Sequence, residues 1–312
     1  MYDPFERGRF PTGLGTIHAR DPLRDRVFPC EIWYPEGQPG LQPLILFSHA
    51  SGGSRTQSTF LCTHLASHGY MVVALDHSET IAPELARKDG ETAGQKAGRQ
   101  AAWIASRVPD ILFLLDATLS GKAALEAEID PARIGIVGHS FGGWTALAAT
   151  EADPRIGAVV ALAPAGASNP RPGIVQATLA FNWGRDVPAL YLVAENDVSL
   201  PLSGMYELFA RTPGTNRMVI LRRADHLHFM DDVETRHEAV RGMPFPAELA
   251  WMQEEMRPIG ELCSGAQAQL FVRGLTLAHF DAVLRQQADA ARFLDGDIPA
   301  ELARRGVDAI LP

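Results

Sequence analysis

Short apolar runs alternate with longer stretches of helical periodicity along most of the chain, a pattern that predicts an α/β fold. Residues 14–19 and 27–34 read as an opening pair of strands, with the polar segment 20–25 turning between them. Residues 43–48 and 71–75 are continuous apolar runs, as expected for strands covered on both faces. Between them, residues 56–68 place Phe60, Leu61, His64 and Leu65 on one helical face, and Gly69 ends the helix. Residues 77–98 turn polar and read as a surface excursion, helical in part. A helix follows over 99–119, with Pro109 expected to kink or restart it. Residues 134–137, 156–162, 190–193 and 218–221 are further strands, and 141–150 is a helix. Past Asp231 the strand signals stop, and 247–256, 266–287 and 299–305 read as helices. The expected organisation is a catalytic domain over residues 1–232. A helical C-terminal extension, 233–312, packs on the same domain.

Composition narrows the class. Of 312 residues, 46% are hydrophobic and 21% charged, which excludes a disordered chain. The net charge of −9, without clustered Lys and Arg, excludes an electrostatic nucleic-acid binder and fits a neutral substrate. Cys30, Cys62 and Cys263 are too few for a disulfide framework and have no metal-type spacing. No apolar run approaches the roughly 20 residues of a membrane span. The first residues, Met1-Tyr2-Asp3-Pro4-Phe5-Glu6-Arg7, lack the basic and apolar regions of a signal peptide. A cytoplasmic location is expected, or a secreted one if a leader is removed. The oligomeric state is not readable.

The chemistry concentrates at Gly138-His139-Ser140-Phe141-Gly142-Gly143. A strand precedes this segment and a helix follows it, the context of a nucleophile elbow. The turn is sharp enough to require small residues two before and two after the serine, and Gly138 and Gly142 meet that need. The turn lifts Ser140 to the carboxyl edge of the sheet. It also sets the Phe141 N–H at a helix N-terminus, where amides are unpaired. The competing reading is a glycine-rich turn with an incidental serine.

A nucleophilic serine needs a base and an orienting acid, in chain order Ser, acid, His. Asp197 follows the 190–193 strand and is the preferred acid, with Glu195 in reserve. His226 is the first histidine past the 218–221 strand and is preferred over His228, which is then a pocket-wall or structural group. Asp225, His226, His228, Asp231 and Asp232 form only a sparse metal-like cluster with no second ligand set, so no metal is expected. The loop Ser48-His49-Ala50-Ser51-Gly52-Gly53 is the source of a second oxyanion donor, the Ser51 N–H before the Ala50 N–H. His49 and Asp76 are read as structural supports for this loop. His18, His64, His68, His77, His139 and His279 are read as surface, capping or core groups.

Several of these segments together resemble the α/β-hydrolase superfamily. Phe47-Ser48-His49-Ala50-Ser51-Gly52-Gly53-Ser54-Arg55, Leu65-Ala66-Ser67-His68-Gly69-Tyr70, the Ser140 elbow and His226-x-x-Phe229 resemble its platelet-activating-factor acetylhydrolase and dienelactone-hydrolase-like branch. The likeness spans about residues 10–232. It implies a mostly parallel, doubly wound sheet with helices on both faces. It also implies esterase activity on short or oxidised acyl chains, with the Ser, Asp and His roles falling on Ser140, Asp197 and His226. The chain departs from the pattern twice: dienelactone hydrolases use Cys where Ser140 stands, and the acetylhydrolase loop usually has Gly at Ala50.

The expected reaction is acyl transfer on a small ester through an acyl-enzyme, with no cofactor. A serine peptidase or amidase and a catalytically silent binding protein are the alternatives. Residues 165–186 occupy the usual place of a lid, and their shortness suggests an open site. Residues 203–211 and Phe229, Met230, Met243, Phe245, Trp251 and Met252 could add apolar walls, though plain packing of the C-terminal helices is the favoured reading.

Overall fold

In the computed structural model residues 2–121 and 128–312 are described. Among them nine strands form one sheet: β1 (Thr12–Asp21), β2 (Arg26–Pro35), β3 (Gln42–Ser48), β4 (Met71–Leu75), β5 (Ile129–His139), β6 (Ile156–Leu162), β7 (Ala189–Ala194), β8 (Asn216–Leu221) and β9 (Ala309–Ile310). The order is β1-β2-β4-β3-β5-β6-β7-β8-β9. The pairs from β4 through β8 are parallel, whereas β1/β2, β2/β4 and β8/β9 are antiparallel.

Strand pleating divides the core in two. Ile45 and Phe47 of β3 point to one face, where the helices Thr59–Ser67 and Gly265–Val283 supply Leu61, Leu65, Phe271 and Leu275. Leu44 and Leu46 point to the other, against Trp103, Leu114, Leu147 and Leu208 of the helices Ala93–Leu119, Phe141–Ala152 and Leu202–Arg211. With helices on both faces of a largely parallel sheet, the fold is an α/β-hydrolase fold. The helix Gly265–Val283 is one of the layers covering the sheet, with Phe271, Val272, Leu275 and Phe280 fully buried.

Three local expectations change. The long helix starts at Ala93, because Thr92 and Gln95 form a reciprocal capping box, and it continues through Pro109 unbroken. Its first turns are mostly exposed, so apolar periodicity does not reveal them. Strand structure also does not end at Asp231. Ala309 and Ile310 pair antiparallel with Leu221 and Ile220, a two-residue element too short to carry a period. All three cysteines are buried and free. Among the described residues no helix is long and apolar enough to cross a membrane.

Candidate active site

The elbow follows from the ends of β5 and the next helix. Ser140 sits between them at φ 59°, ψ −119°, a conformation costly for a residue with a side chain. The surroundings enforce it. Ser140 N–H donates to Leu162 O at 2.9 Å, and its own carbonyl accepts from Trp144 N–H at 3.1 Å and Ala165 N–H at 2.9 Å. The flanking glycines are required by contact: a Cβ on Gly138 would lie 2.0 Å from Gly142 O, and one on Gly142 would lie 2.0 Å from Ser48 O.

Three strand ends bring the other groups to this edge. Asp197 follows β7, and its Oδ1 accepts from Ser199 N–H at 2.9 Å and Leu200 N–H at 2.8 Å. Its Oδ2 accepts from His226 Nδ1–H at 2.6 Å. His226, past β8, therefore presents a lone pair at Nε2, where Ser140 O–H donates at 2.8 Å. Burial opposes protonation of His226, but the charge and hydrogen bond of Asp197 outweigh it and raise the imidazole above its ordinary value. The arrangement can take a proton from Ser140 and hold it on an ion-paired ring.

Glu195, the reserve acid, faces away and binds Arg222 and the Arg223 N–H. His228 is fully buried, bonded to Asp225 Oδ1 at 2.8 Å and Cys263 O at 3.0 Å. Burial lowers its basicity, but the hydrogen bonds to Asp225 and Cys263 more than compensate and push its pKa up to about 10.

The loop after β3 supplies the backbone amides. Ala50 N–H is committed to Gln57 Oε1 at 2.9 Å. Ser51 lines the cavity beside Ser140 and Phe141, and among the described hydrogen bonds neither the Ser51 nor the Phe141 amide has an acceptor. Asp76 accepts from Arg55 N–H at 2.7 Å and from Arg55 Nη1 at 2.6 Å, bracing the loop. His139, read as a bland core group, has more to do. Its buried ring lies 4.7 Å from that of His226, and its Nδ1 accepts from Gln57 Nε2 at 2.9 Å. Burial, and then the neighbouring His226, hold His139 well below its ordinary pKa, so a neutral ring backs His226. Nothing in the local sequence marks Gln57 for this position.

A second Ser–His–Asp chain lies underneath. Ser48 Oγ meets His77 Nε2 at 2.8 Å, and His77 Nδ1 meets Asp110 Oδ2 at 3.2 Å. All three are fully buried, so Ser48 cannot reach a substrate and the chain is structural.

Ser140 opens onto a cavity of about 470 Å³. Gly173, Ile174 and Val175 line it from the short lid segment, and Met230, Phe245, Leu249 and Met252 line it from the far side of the chain. For Met230, Phe245 and Met252 the favoured expectation of plain helix packing is therefore corrected. In the largely exposed segment 243–255, Phe245, Leu249 and Met252 are half-buried because they turn inward over the site. The helix over 202–211 lies on the sheet instead. Arg87 and Arg236 also line the cavity, and among the described residues its lining contains no Asp or Glu.

The chain matches known proteins over most of its length. It is 24% identical to a platelet-activating factor acetylhydrolase of Cavia porcellus over 225 residues, 61% of this chain and 48% of that protein. It spans about half the length of that relative. It is also 24% identical to a bis(hydroxyethyl) terephthalate hydrolase of Streptomyces coelicolor over 240 residues, 73% of this chain and 67% of that one. A ferulic acid esterase from Streptomyces cinnamoneus shares the fold, with a TM-score of 0.68 and 23% identity over 97% of this chain and 96% of that chain. The PET hydrolase-like (PETase) family model matches residues 29–254, more than half of the chain, and the chain belongs to that family.

Proposed function

We propose that the protein is a serine carboxylesterase acting on small esters. The observation that carries this reading is the unbroken hydrogen-bond chain Asp197–His226–Ser140 at a strained elbow opening into an apolar cavity. In this reading His226 takes the Ser140 proton as Oγ attacks the ester carbonyl. The Phe141 and Ser51 amides receive the oxyanion. His226 then protonates the leaving alcohol, and water repeats the sequence on the acyl-enzyme. Asp197 fixes the imidazole tautomer and stabilises its cation. No residue of this scheme needs a cofactor. Residues 1–232 carry the reacting groups, while residues 233–312 add a sheet-covering helix and part of the cavity wall.

Hydrolase activities of the named relatives support an ester substrate. The cavity supports an acyl group that is short or slender. The test is labelling with a fluorophosphonate followed by mapping of the adduct, expected at Ser140. Modification elsewhere, or none, would overturn the proposal. Ser140→Ala is expected to lower kcat on p-nitrophenyl acetate by about 10³-fold or more. A chain-length series of esters then measures the acyl preference, and amino-acid amides serve as the comparison that separates an esterase from an amidase.

A further inference from the structure

We infer that Arg107 is a positioning residue for both amides of the proposed oxyanion hole, an inference that rests on the esterase reading above. Arg107 lies in the helix Ala93–Leu119 and is fully buried, outside the lining of the cavity. A buried guanidinium is costly unless each of its donors is used. Here Nη1 donates to His49 O at 2.6 Å and Nη2 to Ala50 O at 3.2 Å. Nε and Nη2 also bind the two oxygens of Glu79, itself buried. The remaining face of the guanidinium lies over the Phe141 ring, 4.4 Å from its centroid.

The choice of carbonyls is what matters. Ala50 C=O and Ser51 N–H belong to one planar peptide unit, so whatever holds the oxygen aims the amide. Three donors converge on that oxygen: Arg107 Nη2, Gly53 N–H at 3.0 Å and His49 Nδ1–H at 2.7 Å. The His49 tautomer is fixed because its Nε2 accepts from His77 N–H at 3.0 Å. Burial, and then the charge of Arg107, keep His49 neutral. Donors on a carbonyl polarise the peptide and make its N–H a stronger donor in turn. The preceding peptide is held the same way, with Arg107 on His49 O and Gln57 on the Ala50 N–H. One side chain thus braces the Ser51 amide through its peptide and the Phe141 segment through its ring. Arg107 touches no reacting atom, so it acts only through these two segments.

The test uses Arg107→Met/Glu79→Leu, which removes the buried pair together, and Arg107→Lys, which keeps the charge but loses the fork. Turnover is measured on a matched ester and thionoester. Loss of folded enzyme lowers both alike. Weaker amide donors penalise the oxo ester selectively, because sulfur accepts hydrogen bonds poorly. The double variant is expected to lose about 10- to 100-fold in kcat on the oxo ester with KM within about threefold, and its oxo/thiono ratio is expected to fall by a similar factor. Arg107→Lys moves the ratio in the same direction and carries the test if the double variant does not fold. An unchanged ratio in a folded variant overturns the role of Arg107 and leaves the esterase reading intact. A parent that neither labels at Ser140 nor hydrolyses esters overturns both.

Discussion

Replacing Asp197 by Asn changes one atom type, and the surroundings dictate which way the new amide points. Asp197 Oδ1 accepts two backbone amides, Ser199 and Leu200, at 2.9 and 2.8 Å. Only the asparagine carbonyl can accept them. Turning its NH2 that way would leave two buried amides facing donors, at about 1–3 kcal/mol each. The NH2 group therefore faces His226 Nδ1, which must become an acceptor. The single ring proton moves to Nε2, the atom that receives the Ser140 proton in the wild-type geometry. The base is then blocked by its own hydrogen, and the charge that stabilises the imidazolium is gone. An Asp→Asn change at this position of a Ser–His–Asp triad costs about 10⁴ in kcat, or about 5.5 kcal/mol of barrier. The assay is kcat on p-nitrophenyl acetate, with the rate of fluorophosphonate labelling as an independent measure of Ser140 nucleophilicity. Circular dichroism and thermal melting should remain close to the parent. A folded Asp197→Asn protein with turnover within tenfold of the parent would refute the tautomer argument.

Three further outcomes follow from other parts of the molecule. His228 binds protons more tightly folded than unfolded, with a pKa near 10 against an ordinary 6.5. Its contribution to stability is complete below about 6.5 and lost as pH rises through about 10, so urea unfolding should show stability declining from pH 7 to 10. His228→Gln should flatten that decline, and an unchanged slope would count against it. Gly142→Ala places a methyl 2.0 Å from Ser48 O and 2.6 Å from His49 O, so it should cost more than about 3 kcal/mol and much of the soluble yield; parent-like stability would contradict the packing. Arg87→Gln/Arg236→Gln should lower kcat/KM several-fold for esters bearing a distal carboxylate and leave neutral esters unchanged, with the difference shrinking in high salt; equal effects on both ester classes would dismiss it.

The parts of the site legible in the sequence are those fixed by strand ends. Ser140, Asp197 and His226 each follow an apolar run by a few residues, and parallel strands deliver such residues to one sheet edge. The place of Ser51 on the cavity beside Ser140 is legible for the same reason, because small residues after β3 permit close backbone approach. Arg107 and Gln57 are not, because they hold the loop after β3 through backbone carbonyls and an amide that no pattern of side chains records. His139 shows the same limit: its neighbours settle its role, and its place in the elbow motif conceals it.

The cavity roof is illegible for a further reason. It forms where two segments some 80 residues apart meet. Arg171 donates to Glu255 Oε1 at 2.6 Å, its guanidinium lies 3.6 Å from the Trp251 ring centroid, and Trp251 Nε1–H donates to Pro172 O at 3.2 Å. Each contact pairs a residue of the 165–186 segment with one from the helix Ala250–Glu255, and neither half has a period that announces the other. The same contacts hold Leu249 and Met252 of the second segment at the cavity wall beside Gly173, Ile174 and Val175 of the first. Net charge is likewise silent on the cavity. The value of −9 is a sum over the whole chain, whereas the charged side chains lining the cavity among the described residues are Arg87, Arg236 and no carboxylate. Charge steers a ligand through the field at its own site, so the sign that governs substrate choice is the local one.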